Sequence, residues 1–147
     1  MSIEDDVALL ERVPTLRLLG SASLRMLAIG SELRIFGHGD VLFSAGDEAD
    51  AGYVVQRGAF RIDDGVSAEI VAGPATLIGE LALVVAMKRP SSATALDNSS
   101  VIRITRSLFQ RVLESDPAAA RRLRDEFATR TSQIASDILM AGAKLST

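Results

Sequence analysis

The sequence predicts a mainly β fold, a β-roll with helices at both ends, and three observations carry that expectation. Between Gly30 and Arg106, short runs of β-branched and aromatic residues are cut at even spacing by Gly and Asp turns. On either side of that region the apolar residues recur every three or four positions, the period of a helix packed on one face. The strands also succeed one another without regular helical crossovers, which favours a roll or barrel over alternating βαβ units.

Taken in order, Val7, Leu10, Val13, Leu16 and Leu19 recur every three residues and predict a helix broken near Pro14. Ser21 or Ser23 is expected to cap a second helix that buries Leu24, Leu27 and Ala28. Strands are predicted at Leu33–Phe36, Val41–Ser44, Tyr53–Gln56, Ala59–Asp63, Ala68–Ala72, Ser92–Leu96 and Val101–Thr105. Their turns are Gly37-His38-Gly39-Asp40, Gly46-Asp47, Arg57-Gly58 and Asp63-Asp64-Gly65. From Ser107 the helical period returns through Leu108, Val112 and Leu113, then breaks at Asp116-Pro117, where Asp116 suits a cap and Pro117 the first turn of a new helix. That last helix is predicted to reach Ala141, with Phe127, Thr131, Ile134, Ile138, Ala141 and Leu145 on one a/d-like seam. The expected organisation is one domain over 1–147, with helices over 1–30, the roll over 31–106 and helices over 107–147.

Composition removes several function classes. With 48% hydrophobic and 24% charged residues the chain is too apolar for disorder, and with 4% aromatics its core must come mainly from Leu, Ile, Val and Ala. A net charge of -3 argues against general nucleic-acid binding, which needs a basic surface. The absence of cysteine excludes disulfides, thiolate catalysis and sulfur-ligated metals. His38, the one histidine, sits between two glycines and reads as a turn residue, leaving too few ligands for a cupin-like metal enzyme and no Ser-His-acid set. No catalytic residue, metal or cofactor is therefore expected. The acidic N-terminus lacks the basic and apolar regions of a secretory signal, and no window approaches a membrane span, so the expected location is the cytoplasm.

The segment between Ala72 and Ala93 interrupts the roll and holds the chemistry. Gly73-Pro74 and Gly79 mark sharp backbone changes, and Glu80-Leu81-Ala82-Leu83 reads as a short helix whose first turn presents unpaired N–H groups. Arg89 can return a guanidinium fork to the same place, and Glu80, able only to accept, suits a sugar hydroxyl. An anion seat beside a hydroxyl acceptor describes a nucleotide, while the bland alternative is a surface ion pair between Glu80 and Arg89 with Gly79 as a turn.

The order Ile78-Gly79-Glu80-Leu81-Ala82-Leu83, followed by Arg89-Pro90-Ser91-Ser92-Ala93, closely resembles the phosphate-binding cassette of the cyclic nucleotide-binding domain family. Leu42-Phe43-Ser44-Ala45-Gly46-Asp47 resembles the family's early strand and Gly-Asp turn, and Tyr53-Val54-Val55-Gln56-Arg57-Gly58 its next strand. The resemblance covers Leu9 to about Leu139. It implies an eight-stranded, jelly-roll-like double-stranded β-helix with a cassette over 78–95. Glu80 would bind the ribose 2'-hydroxyl and Arg89 the cyclic phosphate. Gly79, Leu81 and Ala82 would supply backbone contacts, with Ser91 and Ser92 beside phosphate and base. Phe127, Ile134 and Ile138 become candidates to cap the base or to pair with a second copy, and Leu77, Val71 and Val85 are read as apolar lining or core.

Pro90 departs from the pattern. It has no N–H to give the phosphate, and the absence of a Thr there, which the family associates with guanine, tilts the ligand to cAMP over cGMP. The implied function is a non-catalytic cyclic nucleotide sensor whose C-terminal helix moves with the ligand and offers a surface for a homodimer or partner protein. Two alternatives stand beside it. One is the sensor part of a Crp/Fnr-type transcription regulator without its helix-turn-helix, which would not bind DNA specifically. The other is a degenerate domain that has lost its ligand.

Overall fold

The computed structural model describes residues 2–129 apart from Ser67 and Phe127; the expected helix beyond 129, with its seam residues Thr131, Ile134, Ile138, Ala141 and Leu145, lies outside the described residues. The chain opens with α1 (Ile3–Glu11), α2 (Pro14–Arg17) and α3 (Ser21–Gly30). Ser2 and Asp5 close a capping box at α1, whose first turn carries Glu4, Asp5 and Asp6 against the positive end of the helix dipole. Pro14 occupies the first turn of α2, as its ring geometry favours.

The expected serine cap of α3 is not found. Gly20, at φ +84°, is the N-cap, and Ser23 is buried with its hydroxyl donating to Asp116 at 3.2 Å. A left-handed entry turn does here what a serine side chain was expected to do.

Ten strands follow among the described residues: β1 (Glu32–Phe36), β2 (Val41–Phe43), β3 (Glu48–Ala49), β4 (Ala51–Arg57), β5 (Phe60–Asp63), β6 (Ile70–Ala72), β7 (Leu77–Ile78), β8 (Met87–Lys88), β9 (Ser92–Ala95) and β10 (Ser99–Thr105). Seven match the seven runs read from the sequence; the other three, β3, β7 and β8, are two residues long, too short to show a period-two pattern. The expected count of eight is corrected accordingly. Between Leu83 and α4 the chain completes the roll, then α4 (Arg106–Ser115) and a further helix, α5 (117–126), return to the α-helical layer. Asp116 caps α5 as expected, its Oδ1 accepting from the Ala119 N–H at 3.1 Å.

All strand pairs are antiparallel, in sheets ordered β1-β10-β4-β7 and β2-β9-β5-β6, with β3 and β8 forming a separate ribbon. Alternation along β4 and β10 divides the interior in two. Tyr53, Val55 and Val101 point into the roll with Phe43, Phe60, Ile78, Ala93 and Ala95. Val54, Ile102 and Ile104 point the other way, onto Leu10, Leu16, Leu27, Phe109 and Leu123 of the helices. The central strands are buried on both faces, so the helices are one wall of the domain and not appendages to it.

Candidate functional site

A cleft of about 350 Å³ opens where β7 runs into the one-turn 3₁₀ helix Glu80–Leu83 and where β8 runs into β9. Seven predicted site residues line it: Gly79, Glu80, Leu81, Ala82, Arg89, Pro90 and Ser91. Ile62, Ile70 and Met87 add apolar wall, with Phe43 beneath. Ser92 is the exception, because its hydroxyl accepts the Ala45 N–H at 2.9 Å and it does not line the cleft. Leu77 lines the cleft, whereas Val71 and Val85, at 63% and 49% exposure, belong neither to it nor to the core.

Arg89 anchors the site. Its main chain is clamped by the Gly46-Asp47 turn: the Gly46 N–H donates to the Arg89 carbonyl at 2.8 Å, and the Arg89 N–H donates to the Asp47 carbonyl at 2.7 Å. Its side chain is 5% exposed. Nη2 donates to the Ala51 carbonyl at 2.7 Å, and the guanidinium carbon lies 4.2 Å from the centre of the Phe43 ring and 5.5 Å from that of Tyr53. Nε is buried without a hydrogen-bond partner, and among the described residues no carboxylate pairs with this cation. Burial is the largest influence on the group and lowers its pKa, opposed by Tyr53 and Asp50. A buried cation held on rings and a carbonyl, with a polar hydrogen left over, is arranged to meet an anion from outside.

Gly79 makes room for it. Its φ is +78°, and a Cβ there would stand 2.5 Å from Arg89 Nη1, so the guanidinium rests directly on the glycine backbone. The surface ion-pair reading of Arg89 is corrected on this geometry, since the side chain is interior. The cassette helix is also shorter than an α-helix, a single 3₁₀ turn with Gly79 as its N-cap.

Two neighbours escaped the sequence reading. Thr15 of α2, 8% exposed, donates from Oγ1 to Glu80 Oε1 at 3.2 Å. Arg106, the first residue of α4, donates from Nη1 to the carbonyls of Ala49 at 3.0 Å, Ala82 at 3.1 Å and Val85 at 2.8 Å. Both partnerships join residues far apart in sequence, and neither Thr15 nor Arg106 belongs to a local motif. Phe43 and Tyr53 were legible as strand residues, but their place under Arg89 depends on how β2 and β4 face across the roll.

A larger groove of about 510 Å³ lies elsewhere, between the end of α3, β1 and β10, walled by Ile29, Leu33 and Ile35. Its charged lining is Asp6 and the exposed Arg57, and it contains none of the cassette residues. Among the described residues no group of acidic, His or Cys side chains could hold a metal ion, and no helix is long and apolar enough to cross a membrane.

Residues 33–116 match the model of the cyclic nucleotide-binding domain family. In fold, the chain is similar to the N-terminal domain of a transcriptional regulator from Streptomyces coelicolor, with a TM-score of 0.80 and 27% identity over 88% of this chain and 94% of that one. In sequence it is 31% identical over 111 residues to the cAMP-dependent protein kinase regulatory subunit of Eremothecium gossypii, covering 74% of this chain and 24% of the relative. It is also 31% identical over 135 residues to an NTE family protein of Mycobacterium tuberculosis, covering 84% of this chain and 23% of the relative. The chain spans only 7% of the length of another relative, the lysophospholipase NTE1 of Pyricularia oryzae, to which it is 26% identical over 104 residues, 67% of this chain. The cassette order read from the sequence, the antiparallel roll around it and the match over 33–116 agree, and the chain belongs to the cyclic nucleotide-binding domain family.

Proposed function

We propose that the cleft binds a cyclic nucleotide, cAMP in preference to cGMP, and that the chain is a non-catalytic sensor. The observation that carries this reading is Arg89: a guanidinium 5% exposed, with no carboxylate partner among the described residues and its Nε unsatisfied, in a cleft of about 350 Å³. The cyclic phosphate meets Arg89 and the backbone of Gly79, Leu81 and Ala82, and the ribose 2'-hydroxyl donates to Glu80. Ile62, Ile70 and Met87 offer the base an apolar wall. With Pro90 lacking an N–H, Ser91, which lines the cleft, is placed to replace that contact, and Ser92 is not.

The preference for cAMP rests on Pro90 standing where a guanine-reading Thr would stand, and is supported by the likeness to a cAMP-dependent kinase subunit. Ligand binding is coupled to the C-terminal helices through the cassette, since Arg106 ties the carbonyls of Ala82 and Val85 to the first turn of α4. The ligand can move those helices only by its difference in affinity for their positions. Phe127, Ile134 and Ile138 stay the capping and pairing candidates, and a second copy or partner protein is to be sought at that seam. The reading places the sensor in the cytoplasm and assigns it no DNA contact, in keeping with its charge of -3.

Calorimetric titration of the full chain with cAMP and cGMP tests this. Heat with both, and a tighter constant for cAMP, are expected; in Arg89→Gln, titrated where circular dichroism shows it folded, affinity falls by about 30-fold or more, the usual scale for truncating one side of a buried charge pair. A folded protein that takes up neither nucleotide would overturn the reading.

A further inference from the structure

Thr15 lies outside the roll and the cassette, in a four-residue helix that precedes the first strand, yet its hydroxyl reaches across 65 positions to Glu80. Several features mark this contact as specific. Thr15 is 8% exposed, although threonine tolerates solvent well. Its hydroxyl is not the cap of its own helix, where Val13 is the N-cap with no side-chain bond. Val13 and Leu16, two residues before it and one after, belong to the core cluster that also contains Leu83 of the cassette. Glu80 is half-buried and lines the cleft, so the Thr15 bond fixes the direction of a carboxylate that faces the ligand space.

We infer that Thr15 is a positioning residue for ribose recognition, orienting the Glu80 carboxylate so that the 2'-hydroxyl of a cyclic nucleotide meets a fixed acceptor. This rests on the assignment of Glu80 to the ribose. A carboxylate has about four acceptor directions, so the bond from Thr15 and one from ribose do not compete. Holding the rotamer beforehand removes side-chain ordering from the binding step. Linkage makes the effect mutual: a ligand that engages Glu80 steadies the Thr15 bond, and with it α2.

The test compares cAMP with 2'-deoxy-cAMP on the folded full chain by calorimetry. The wild type is expected to prefer cAMP by about tenfold or more, the scale of a hydrogen bond to a charged group. Thr15→Val keeps the shape and removes the hydroxyl; its preference should fall to about threefold or less, through weaker cAMP binding with 2'-deoxy-cAMP affinity nearly unchanged. Thr15→Ser should restore the preference. A folded Thr15→Val that keeps the wild-type preference, or weakens both ligands equally, overturns the inference while leaving the cyclic nucleotide reading intact. A wild type that binds neither ligand overturns both. A second measurement needs no variant: amide exchange over 13–18 in the wild type should slow more with saturating cAMP than with saturating 2'-deoxy-cAMP, and equal protection by both counts against Thr15.

Discussion

Replacing Gly79 by alanine changes two things at once, and a second glycine separates them. At φ +78° an alanine adopts a left-handed conformation that costs about 1–2 kcal/mol. Its Cβ would also stand 2.5 Å from Arg89 Nη1, about 1 Å inside ordinary contact. An exposed arginine would swing away at little cost. Arg89 is 5% exposed, bonded to the Ala51 carbonyl at 2.7 Å and seated on Phe43, so moving it breaks a hydrogen bond from a charged group, worth about 1.5–3 kcal/mol. Gly39, at φ +86° with nothing within 4 Å of its would-be Cβ, supplies the backbone effect alone. Gly39→Ala is therefore expected to lose about 1–2 kcal/mol of unfolding free energy and keep its ligand affinity. Gly79→Ala should lose about 2–5 kcal/mol and at least tenfold in affinity for cAMP. Urea unfolding at neutral pH gives the first quantity and calorimetric titration the second. Equal stability losses in the two variants, with wild-type affinity in Gly79→Ala, would refute the placement of the guanidinium on the glycine backbone.

Two further outcomes follow from the packing and the caps. Leu83, 1% exposed, joins the cassette to the helical core, so Leu83→Ala should lower stability by about 2–5 kcal/mol in chemical denaturation and weaken cAMP binding as well. Asp116, cap of α5, has its carboxyl pKa lowered from 3.8, first by the Ala119 N–H, against the opposing effect of desolvation, and then by the Ser23 hydroxyl and Arg122. Because the folded value is the lower one, its stabilisation is fully present above the unfolded value near 3.8 and fades as the pH falls through the folded value. The Tm gap between wild type and Asp116→Ala should thus be level from pH 7 to about 5 and narrow below about 4; a gap that widens in acid contradicts the assignment.

Most of the roll was legible because its long strands carry strong signals: β4 opens with the apolar run Ala51–Val55, β10 carries the β-branched Val101, Ile102 and Ile104, and the turns hold Gly at positive φ, as at Gly46 and Gly58. What escaped were elements whose cause is not local. The strands β3, β7 and β8 exist because partners lie alongside, Glu48 opposite Lys88 and Tyr53 opposite Ile78, and not because two residues prefer to be extended. Ser23 read as a cap because serine favours that place in isolation, but its hydroxyl finds Asp116, 93 positions away. The cassette residues were found because they are contiguous. Thr15 and Arg106, which hold the cassette from outside, are not contiguous with it, and a side chain's long-range partner leaves no mark on its own neighbours in sequence.

That division bears on how a ligand in the roll could act on the helices. The cassette sits across the boundary between the two cores: Ile78 packs inside the roll and Leu83, five residues on, packs among Leu10, Leu16 and Phe109. Glu80, near its start, is held to α2 by Thr15, and the Ala82 and Val85 carbonyls, around the end of its one-turn helix, are held to α4 by Arg106. Close-packed interiors do not deform smoothly, so a shift of the cassette that seats a phosphate must either be absorbed at these two ties or carried into the helical layer. Thr15 holds by one hydroxyl, whereas Arg106 holds two cassette carbonyls, those of Ala82 and Val85, and also anchors the start of α4 to the carbonyls of Ala49 and Asp50 outside the cassette. If the cleft takes a cyclic nucleotide as proposed, the two bonds on the side of α4 against one on the side of α2 predict that a displacement of the cassette would reach the C-terminal helices more strongly than the N-terminal ones.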